Sequence, residues 1–386
     1  MLPPDLYLAL IAVDVIVSLG VTSIYLYGLV NLRRSLRSLL HLDVPANSAP
    51  GRPVTVIVPA RNEAARIGQL MRSLASSVPR PDLVVIVDDR SDDGTSRIAI
   101  AAADGLRLRV LRVNDVMPGW NPKANALMVG SQSAPLASSM LFLDVDVRGD
   151  LGALVRAASV VRPGELIAFE PRFYCRTTFC RVAQPFFTGL LHGFFGFNRA
   201  LDGRDEHSLI YGCCWAVDPY TFWELGGLSS VRSQLVEDRE FAKHAKHRGV
   251  RLTPYDARQH VWVESWDRPR EMLELMKRIS YRASRSMNLP KFVLTALGLI
   301  TLTAWPLAWV PLAALGYYAL AIGPLLSYAA QASLALAGQL AEGIRGPWFL
   351  LSPVAAVLVA IGFVESRWRP VRWRGQVIDP LRLRDT

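Results

Sequence analysis

The chain has few cysteines, and none of them have the spacing that a structural zinc site needs. Its 386 residues contain Cys175, Cys180, Cys213 and Cys214, and no two of these form a C-x-x-C pair. The usual zinc modules are therefore excluded. We expect all four thiols to be reduced, as residues of the core or near a site, which suits a domain on the cytosolic side of a membrane.

The sequence also has no internal repeat, no low-complexity tract and no basic module interleaved with aromatic residues. Its net charge is nevertheless +10, from 43 Lys and Arg against 33 Asp and Glu. The basic residues lie beside apolar segments, so we expect no nucleic acid as a partner. Anionic lipid headgroups and phosphate-bearing substrates account for the charge.

Long apolar runs lie at the two ends of the chain. Residues 6–30 are apolar apart from Asp14 and a few hydroxyl residues, and can cross about 30 Å of hydrocarbon. Arginines follow this run, which favours an exit into the cytoplasm and argues against a cleaved signal peptide. Apolar blocks at 292–340 and 348–364 predict two or three further spans, and the parity of these crossings stays open.

These features predict a multi-pass protein of the cell membrane with its middle region on the cytoplasmic side. The predicted parts are a transmembrane helix, a basic juxtamembrane linker, an α/β domain, a second transmembrane region and a basic tail with six arginines. Their bounds are 1–32, 33–52, 53–285, 286–365 and 366–386. Oligomeric state is not indicated by the sequence.

The middle region alternates short β-branched runs with helical patterns, which is typical of a mostly parallel sheet with helices on both faces. Three predicted strands end in polar clusters, at Pro59-Ala60-Arg61-Asn62-Glu63, at Asp88-Asp89 and at Asp144-Val145-Asp146. Ligands of such sheets bind beyond the carboxyl ends of the strands. We therefore expect the three clusters to meet at one edge.

Asp144 and Asp146 follow the apolar run Leu141-Phe142-Leu143. Two carboxylates this close repel each other unless a positive charge lies between them. Oxygen ligands favour Mg²⁺ or Mn²⁺, and such a metal usually shares substrate phosphates. The pattern predicts a metal site for a nucleotide diphosphate, and the alternative is an Asp-rich turn.

The order and spacing of these motifs resemble the family 2 glycosyltransferases of the GT-A fold. The resemblance rests on the three clusters above and on further segments: Lys123-Ala124-Asn125-Ala126-Leu127, Tyr211-Gly212-Cys213-Cys214, Glu224-Leu225-Gly226-Gly227-Leu228 and Val236-Glu237-Asp238-Arg239-Glu240. It implies a nucleotide-sugar half at 53–150 and an acceptor half at 151–285. The flanking spans and Trp373-Arg374-Gly375 look like the membrane-bound branch that includes ceramide, hopanoid-associated and carotenoid glycosyltransferases.

The resemblance implies roles for particular residues on the donor side. Lys123 would meet the diphosphate, Asp146 would bind the metal, and Asp144 would contact the metal or the ribose. The residues expected to line the nucleotide pocket are Pro59, Ala60, Arg61, Glu63, Asp88 and Asp89. Asp92 and Asp93 are interpreted instead as capping residues of the next helix.

On the acceptor side the resemblance makes Asp238 the general base, with Glu237 beside it. Helix N-termini favour acidic residues for electrostatic reasons alone, which is the alternative interpretation. No motif supplies a carboxylate for a second displacement, so one inverting displacement is expected. Arg278 and Arg282 either clamp the diphosphate or face lipid headgroups, and their segment departs from the Gln/Arg-x-x-Arg-Trp motif of processive synthases.

Together these observations predict an enzyme that moves one sugar from a nucleotide-sugar, expected to be UDP-linked, to a hydroxyl of a membrane lipid. The alternatives are a polyprenyl-phosphate transferase, a polysaccharide synthase and a membrane-anchored nucleotide-binding or regulatory protein. A transporter is disfavoured because Asp14 is the one acidic or basic residue within the apolar runs. The aromatic segment 183–197 is interpreted either as an interfacial helix or as a core helix, with His192 satisfied inside it.

Overall fold

A computed structural model describes residues 3–42, 51–373 and 376–378. The strands in this part of the chain are β1 Leu40–His41, β2 Val54–Ala60, β3 Leu83–Asp89, β4 Leu108–Val113, β5 Ser139–Leu143, β6 Val147–Gly149, β7 Glu165–Glu170, β8 Arg172–Tyr174, β9 Cys214–Val217, β10 Arg251–Asp256, β11 Val261–Glu264, β12 Val371–Trp373 and β13 Gln376–Ile378. Part of the predicted linker at 33–52, namely residues 43–50, lies outside the described residues, as do Arg374-Gly375 and the tail from 379 onward.

The α-helices of the described part follow the same chain order. They are α1 Pro4–Arg37, α2 Ala64–Ala75, α3 Thr95–Ala101, α4 Pro122–Ser131, α5 Leu151–Ser159, α6 Thr178–Phe195, α7 Phe197–Ala200, α8 Pro219–Glu224, α9 Glu237–His247, α10 Pro269–Ser286, α11 Leu289–Ala304, α12 Trp309–Ala314, α13 Tyr318–Ala341 and α14 Ser352–Ser366. Short 3₁₀ turns lie at Ser229–Val231, Trp305–Leu307 and Trp348–Leu351.

The main sheet has eight strands in the order β1-β10-β7-β9-β5-β2-β3-β4. All neighbours in it are parallel except β9, which is antiparallel to both β5 and β7. The predicted α/β class with a mostly parallel sheet is therefore confirmed. A smaller sheet, β6-β11-β8, continues the chain directly after the Asp-x-Asp turn.

The local patterns explain why these elements form. Strand β2 is a β-branched run in which every residue but Pro59 is buried, as a strand covered on both faces requires. Helix α2 places Ile67, Leu70 and Met71 at helical spacing, and all three are fully buried against the sheet. Apolar periodicity thus orients helix α2 against the sheet and leaves the strand ends to carry polar residues.

The chain divides into two compact units, each assembled from separated segments. The sheet unit comprises Arg37–Tyr174, Phe197–Glu264 and Arg372–Thr386. The helix unit comprises Met1–Leu36, Cys175–Gly196 and Ser265–Val371. The α/β domain predicted at 53–285 is continuous in sequence, whereas the structure assigns two stretches of it, 175–196 and 265–285, to the helix unit.

The helix unit contains the helices that are long and apolar enough to cross a membrane. Within the described residues there are four of these, at Asp5–Arg37, Leu289–Leu307, Tyr318–Ala341 and Trp348–Ser366. Three of them therefore lie in the C-terminal region, where the sequence predicts two or three. Helices at both ends of the chain are thus suited to membrane association.

The aromatic segment around residues 183–197 lies mainly in helix α6 of the helix unit. Tyr25 of α1 meets Phe186 edge to face, with 6.3 Å between the ring centroids. His192 is fully buried, and its Nδ1 lies 2.8 Å from Ser35 Oγ. The segment is thus packed within the helix unit and not in the core of the α/β domain, and His192 is hydrogen-bonded inside that unit as expected.

One expectation about the cysteines is wrong. Cys175 and Cys180 form a disulfide, with 5.2 Å between their Cα atoms. The turn between β8 and α6 brings the two thiols together, which the four residues between them do not reveal in the sequence. Cys213 and Cys214 are free thiols, as predicted.

Candidate active site

The polar clusters at the strand ends meet at one edge of the main sheet, in a cleft of the sheet unit. Seven of the sequence-predicted residues line it: Pro59, Ala60, Arg61, Glu63, Asp89, Lys123 and Asp144. They come from the ends of β2, β3 and β5 and from the start of α4. The rule that ligands bind beyond the carboxyl ends of parallel strands thus predicted this cleft correctly.

Lys123 lies at the centre of the charged groups. Its Nζ donates to Asp144 Oδ2 at 2.8 Å and to the Gly212 carbonyl at 3.3 Å, and lies 3.7 Å from Glu237 Oε1. Burial opposes the charged form, but Asp144, Glu237 and Asp238 outweigh it and hold the pKa of Lys123 above its ordinary value. The ammonium is therefore charged throughout the physiological pH range.

Glu237 and Asp238 open helix α9 beside this ammonium. Glu237 is 4% exposed, whereas Asp238 is half-buried and its Oδ1 accepts a hydrogen bond from the Arg239 amide at 2.7 Å. A Cβ atom on Gly212 would lie 2.2 Å from Asp238 Oδ2. Glycine at 212 is therefore what allows the Asp238 carboxylate to approach this turn.

Asn121 connects the two halves of the site, and its role was not predicted. It caps helix α4 by accepting from the Lys123 amide at 2.9 Å, and its side-chain amide donates to the Gln234 carbonyl at 2.7 Å. The loop before α9 is thus tied to the start of α4. The Asn-Pro pair at 121 and 122 is a helix-start signal that could have identified it.

Asp88 and Asp89 differ in their surroundings. Asp89 lines the cleft and pairs with Arg90 at 2.8 Å and with Arg61 at 3.5 Å. Asp88 does not line the cleft, because its carboxylate accepts from the Ser91 amide at 2.8 Å and from the Ser96 hydroxyl. In the structure Asp88 holds the turn that follows β3, and its predicted contact with a nucleotide stays a prediction.

Asp93 supports the same region as a capping residue. Its Oδ2 accepts from the Ala64 amide at 2.9 Å, and its Oδ1 accepts from the Thr95 amide at 3.0 Å. These bonds outweigh burial and lower the pKa of Asp93. The side chain bridges the starts of helices α2 and α3, in agreement with its interpretation as a capping residue.

Asp146 lies in a second charged group beside the cleft, and it is not among the residues that line the cleft. Arg148 and Arg66 are near enough to interact with it electrostatically, and both also interact with Glu264, whose Oε2 lies 3.4 Å from Arg66 Nε. The two aspartates of the Asp-x-Asp motif therefore face different neighbours in this structure.

Arg148 is the second residue that the sequence did not single out. It is 2% exposed, and its Nη1 donates to the Val145 carbonyl at 2.6 Å and to the Val147 carbonyl at 2.9 Å. Burial lowers the pKa of Arg148, while Glu264 and Asp146 counteract that effect. The guanidinium thus holds the backbone on both sides of Asp146, and the only sequence signal was a basic residue shortly after the Asp-x-Asp motif.

The carboxylates fit a divalent metal that is shared with a diphosphate. Among the described residues there is no group of three or more His, Cys, Asp or Glu side chains able to hold a metal ion. Mg²⁺, however, is usually bound by one or two carboxylates together with substrate phosphates. Asp144, which lines the cleft, is placed to supply one such oxygen, and Asp146 lies two residues further on.

Arg278 and Arg282 lie on helix α10, which belongs to the helix unit. The structure therefore does not bring them into the cleft lining with the other predicted residues. Both of their interpretations, diphosphate clamp and lipid-headgroup contact, stay predictions.

A mostly parallel sheet with acidic and basic groups at the carboxyl ends of its strands defines an α/β protein whose ligands are expected at that edge. Residues 55–149 match the model of the glycosyl transferase family 2. This segment of the chain is thus similar to a family 2 glycosyltransferase domain, in agreement with the resemblance drawn from the motifs.

Two relatives with assigned names are similar to this chain. A 4,4'-diaponeurosporenoate glycosyltransferase from Staphylococcus haemolyticus is 23% identical over 229 residues, covering 58% of this chain and 60% of the relative. The enzyme of the same name from Staphylococcus aureus is 23% identical over 210 residues, covering 53% of this chain and 54% of the relative. The chain thus spans less than two thirds of these relatives.

A solved structure resembles almost the whole chain. A mannosyltransferase from Pyrobaculum calidifontis, in complex with GDP-Man and Mn²⁺, superposes with a TM-score of 0.55 at 18% identity. The similarity covers 92% of this chain and 99% of that protein. At this level of identity the comparison establishes the fold.

Proposed function

We propose that the protein transfers one sugar from a nucleotide-sugar to a hydroxyl group of a membrane lipid, with inversion at the anomeric carbon. The observation that carries this proposal is the convergence of Asp144, Lys123, Glu237 and Asp238 beside one cleft of a family 2 domain. Carboxylates and an ammonium so arranged supply the two functions that glycosyl transfer requires. These are charge stabilisation on the leaving diphosphate and proton removal from the acceptor.

On the donor side, the residues at the ends of β2 and β3 bind the nucleotide and Lys123 stabilises the diphosphate. Asp144 and Asp146 would hold a divalent cation, which when bound neutralises charge that develops on the leaving group. Arg61 and Asp89 pair across neighbouring strands and so form one wall of this pocket. We expect uridine as the base, following the resemblance.

On the acceptor side, Asp238 accepts the proton from the attacking hydroxyl. It is half-buried and hydrogen-bonded by its neighbouring amide, so it is held in place while remaining accessible. Glu237 is buried against Lys123 and orients that ammonium. One base on one side of the sugar suits a single displacement with inversion.

The lipid acceptor is supported by the four apolar helices and by the names of the relatives, which assign them to 4,4'-diaponeurosporenoate. We propose that these helices anchor the protein as a multi-pass component of the cell membrane with the sheet unit in the cytoplasm. Anchoring would keep the domain close to an acceptor that does not leave the bilayer.

The test is transfer from radiolabelled nucleotide-sugars into organic-extractable lipid, using membranes that contain the full chain with Mg²⁺ or Mn²⁺ supplied. Label that requires the metal and is lost in Asp144→Asn and Asp238→Asn variants supports the proposal. Label in insoluble polymer would instead indicate a polysaccharide synthase. Transfer that survives Asp238→Asn would indicate a phosphate acceptor, which needs no base.

A further inference from the structure

The Lys123 ammonium bridges the donor and acceptor halves of the candidate active site. Its strongest contact is with Asp144 at the end of β5, and its second carboxylate neighbour is Glu237 at the start of α9. The Lys123 side chain is 13% exposed, so water screens these contacts poorly. Two parts of the sheet unit about a hundred residues apart thus share one counterion.

The Lys123 ammonium is hydrogen-bonded to a carboxylate that a metal would need as a ligand. Asp144 is the one predicted metal ligand that lines the cleft, and its Oδ2 lies 2.8 Å from Lys123 Nζ. A divalent cation on that carboxylate would lie within a few ångströms of a positive charge and would be repelled by it. Metal and lysine therefore compete for Asp144 while the cleft holds no anion.

A diphosphate removes this competition. Its oxygens can accept hydrogen bonds from an ammonium and can coordinate a divalent metal at the same time. Lys123 is also the second residue of helix α4, ten residues long, whose N-terminus faces the same cleft and favours an anion. With the anion present, Lys123 has a partner other than Asp144.

We propose that Lys123 is a built-in counterion of Asp144 that the donor diphosphate draws away, so that this lysine adds to the coupling between nucleoside diphosphate and divalent metal. The inference rests on the proposed donor site and adds a binding order to it. Metal binds weakly to the free protein and tightly once the nucleotide is present. Donor occupancy is thereby linked to Glu237 and Asp238, since the lysine that leaves Asp144 also changes their surroundings.

The experiment measures Mn²⁺ binding to the purified full chain in detergent, from the electron paramagnetic resonance signal of free Mn²⁺. Titrations are run without nucleotide and with saturating UDP or GDP, and protein-free titrations at the same nucleotide concentration are subtracted. For the wild-type chain we expect the nucleotide to tighten Mn²⁺ binding at least tenfold, within the roughly 5–150-fold range of coupled sites. Mn²⁺ must tighten nucleotide binding by the same factor.

The Lys123→Met variant removes the charge and keeps the length of the side chain. We expect it to bind Mn²⁺ alone about tenfold more tightly than the wild type, and to show a coupling to nucleotide that is smaller by about the same factor. Lys243→Met is the matched control, because Lys243 pairs with the exposed Glu206 at 3.0 Å. It should leave both Mn²⁺ affinity and coupling at wild-type values.

Several results would overturn the proposal. Equal Mn²⁺ affinity in the wild type and Lys123→Met would do so, as would undiminished coupling in that variant. A wild-type chain that binds UDP or GDP without any coupling to Mn²⁺ also rejects it, even if the variant fails to fold. In these cases the proposed transfer activity stands, whereas a chain that neither binds nucleotide nor transfers sugar rejects both proposals.

Discussion

The sheet unit and the helix unit both bury polar side chains, but they arrange them differently. In the sheet unit, charged groups collect at one edge, where Lys123 lies between Asp144 and Glu237. In the helix unit, neutral groups pair one with another between helices, as Tyr25 does with Gln331 at 2.7 Å. The helix unit also buries charged residues, such as Lys277 in its pair with Glu274, but the charged groups that surround the cleft lie in the sheet unit.

The difference indicates what each arrangement is for. Clustered charges repel one another and cost stability, so their presence in a cleft is typical of a site that uses them. Isolated polar pairs between apolar helices satisfy hydrogen bonds and select which helices pack together. We therefore expect substitutions at the edge of the sheet to reduce activity, and substitutions between the helices to reduce stability.

The strongest test of this comparison is Asp238→Asn. Loss of the proposed general base should lower kcat by about 10²–10⁴-fold. Tm should change little, because Asp238 is half-buried and the asparagine side chain is the same size. Sugar transfer and thermal unfolding, measured on the same preparation, check the expected changes in kcat and in Tm. Glu240→Gln, in the same helix turn, is the control and should keep near-normal activity.

Arg148→Met tests whether a buried charge outside the cleft also serves activity. The variant loses the bonds to the Val145 and Val147 carbonyls that fix the Asp-x-Asp turn. We expect kcat/KM to fall by about 10–100-fold, because a displacement of roughly 1 Å can cost that much. Arg148→Lys should recover part of the loss. Arg109→Met is the control, because Arg109 is exposed on strand β4. Equal kcat/KM values for Arg148→Met and Arg109→Met would contradict the role of Arg148 in activity.

For the helix unit, Tyr25→Phe should reduce stability and spare activity. The Tyr25 hydroxyl donates to the Leu302 carbonyl at 2.8 Å and accepts from Gln331. Its removal leaves a buried amide without this partner, at a cost of about 1–3 kcal/mol in the free energy of unfolding. Thermal unfolding in detergent measures it, with the exposed Ser333→Ala as control. A large loss of activity per folded molecule would contradict the expectation that polar pairs of the helix unit serve stability and not activity.

The smallest expected effect concerns Glu165, which lies in the sheet unit at the strand ends opposite the cleft. Burial would raise the pKa of Glu165, but bonds from Thr253, the Arg162 amide and Arg251 outweigh it and lower the pKa below the ordinary 4.5. A lowered pKa stabilises the fold above pH 4.5, and this contribution is lost as the pH falls through the lowered value.

Glu165→Gln should therefore lower Tm by about 2–4 °C at pH 7. The same variant should also show a smaller drop in Tm than the wild type between about pH 6 and pH 3.5, since the titrating group is gone. Sugar transfer at pH 7 should be unchanged. An unchanged pH dependence of Tm would show that the carboxylate contributes nothing to stability.

The features that could be predicted from the sequence are those that local residue patterns determine. Strands β2, β3 and β5 are short apolar runs that end in polar turns, so their positions and their common edge follow from periodicity and from the parallel-sheet rule. Lys123 and Asp238 lie at helix starts, which are also recognisable locally. Seven residues of the cleft lining could therefore be predicted from the sequence alone.

What the sequence does not reveal depends on pairing between distant segments. Arg148 lies near Glu264 because β6 pairs with β11, more than a hundred residues later. Helix α6 belongs to the helix unit because it packs on α1 and α13, although its sequence lies between strands of the sheet unit. Neither arrangement leaves a periodic signal in its own segment.

The single antiparallel strand of the main sheet determines which other part of the chain reaches the edge with the cleft. Because β9 runs against β5, Cys214 pairs with Leu143, and the loop that precedes β9 reaches the edge where the parallel strands finish. Residues 208–211 of that loop are buried, and the Tyr211 ring contacts Phe173 and Phe197. This edge of the sheet is therefore bounded by a packed segment, which tolerates changes in length less well than an exposed loop does.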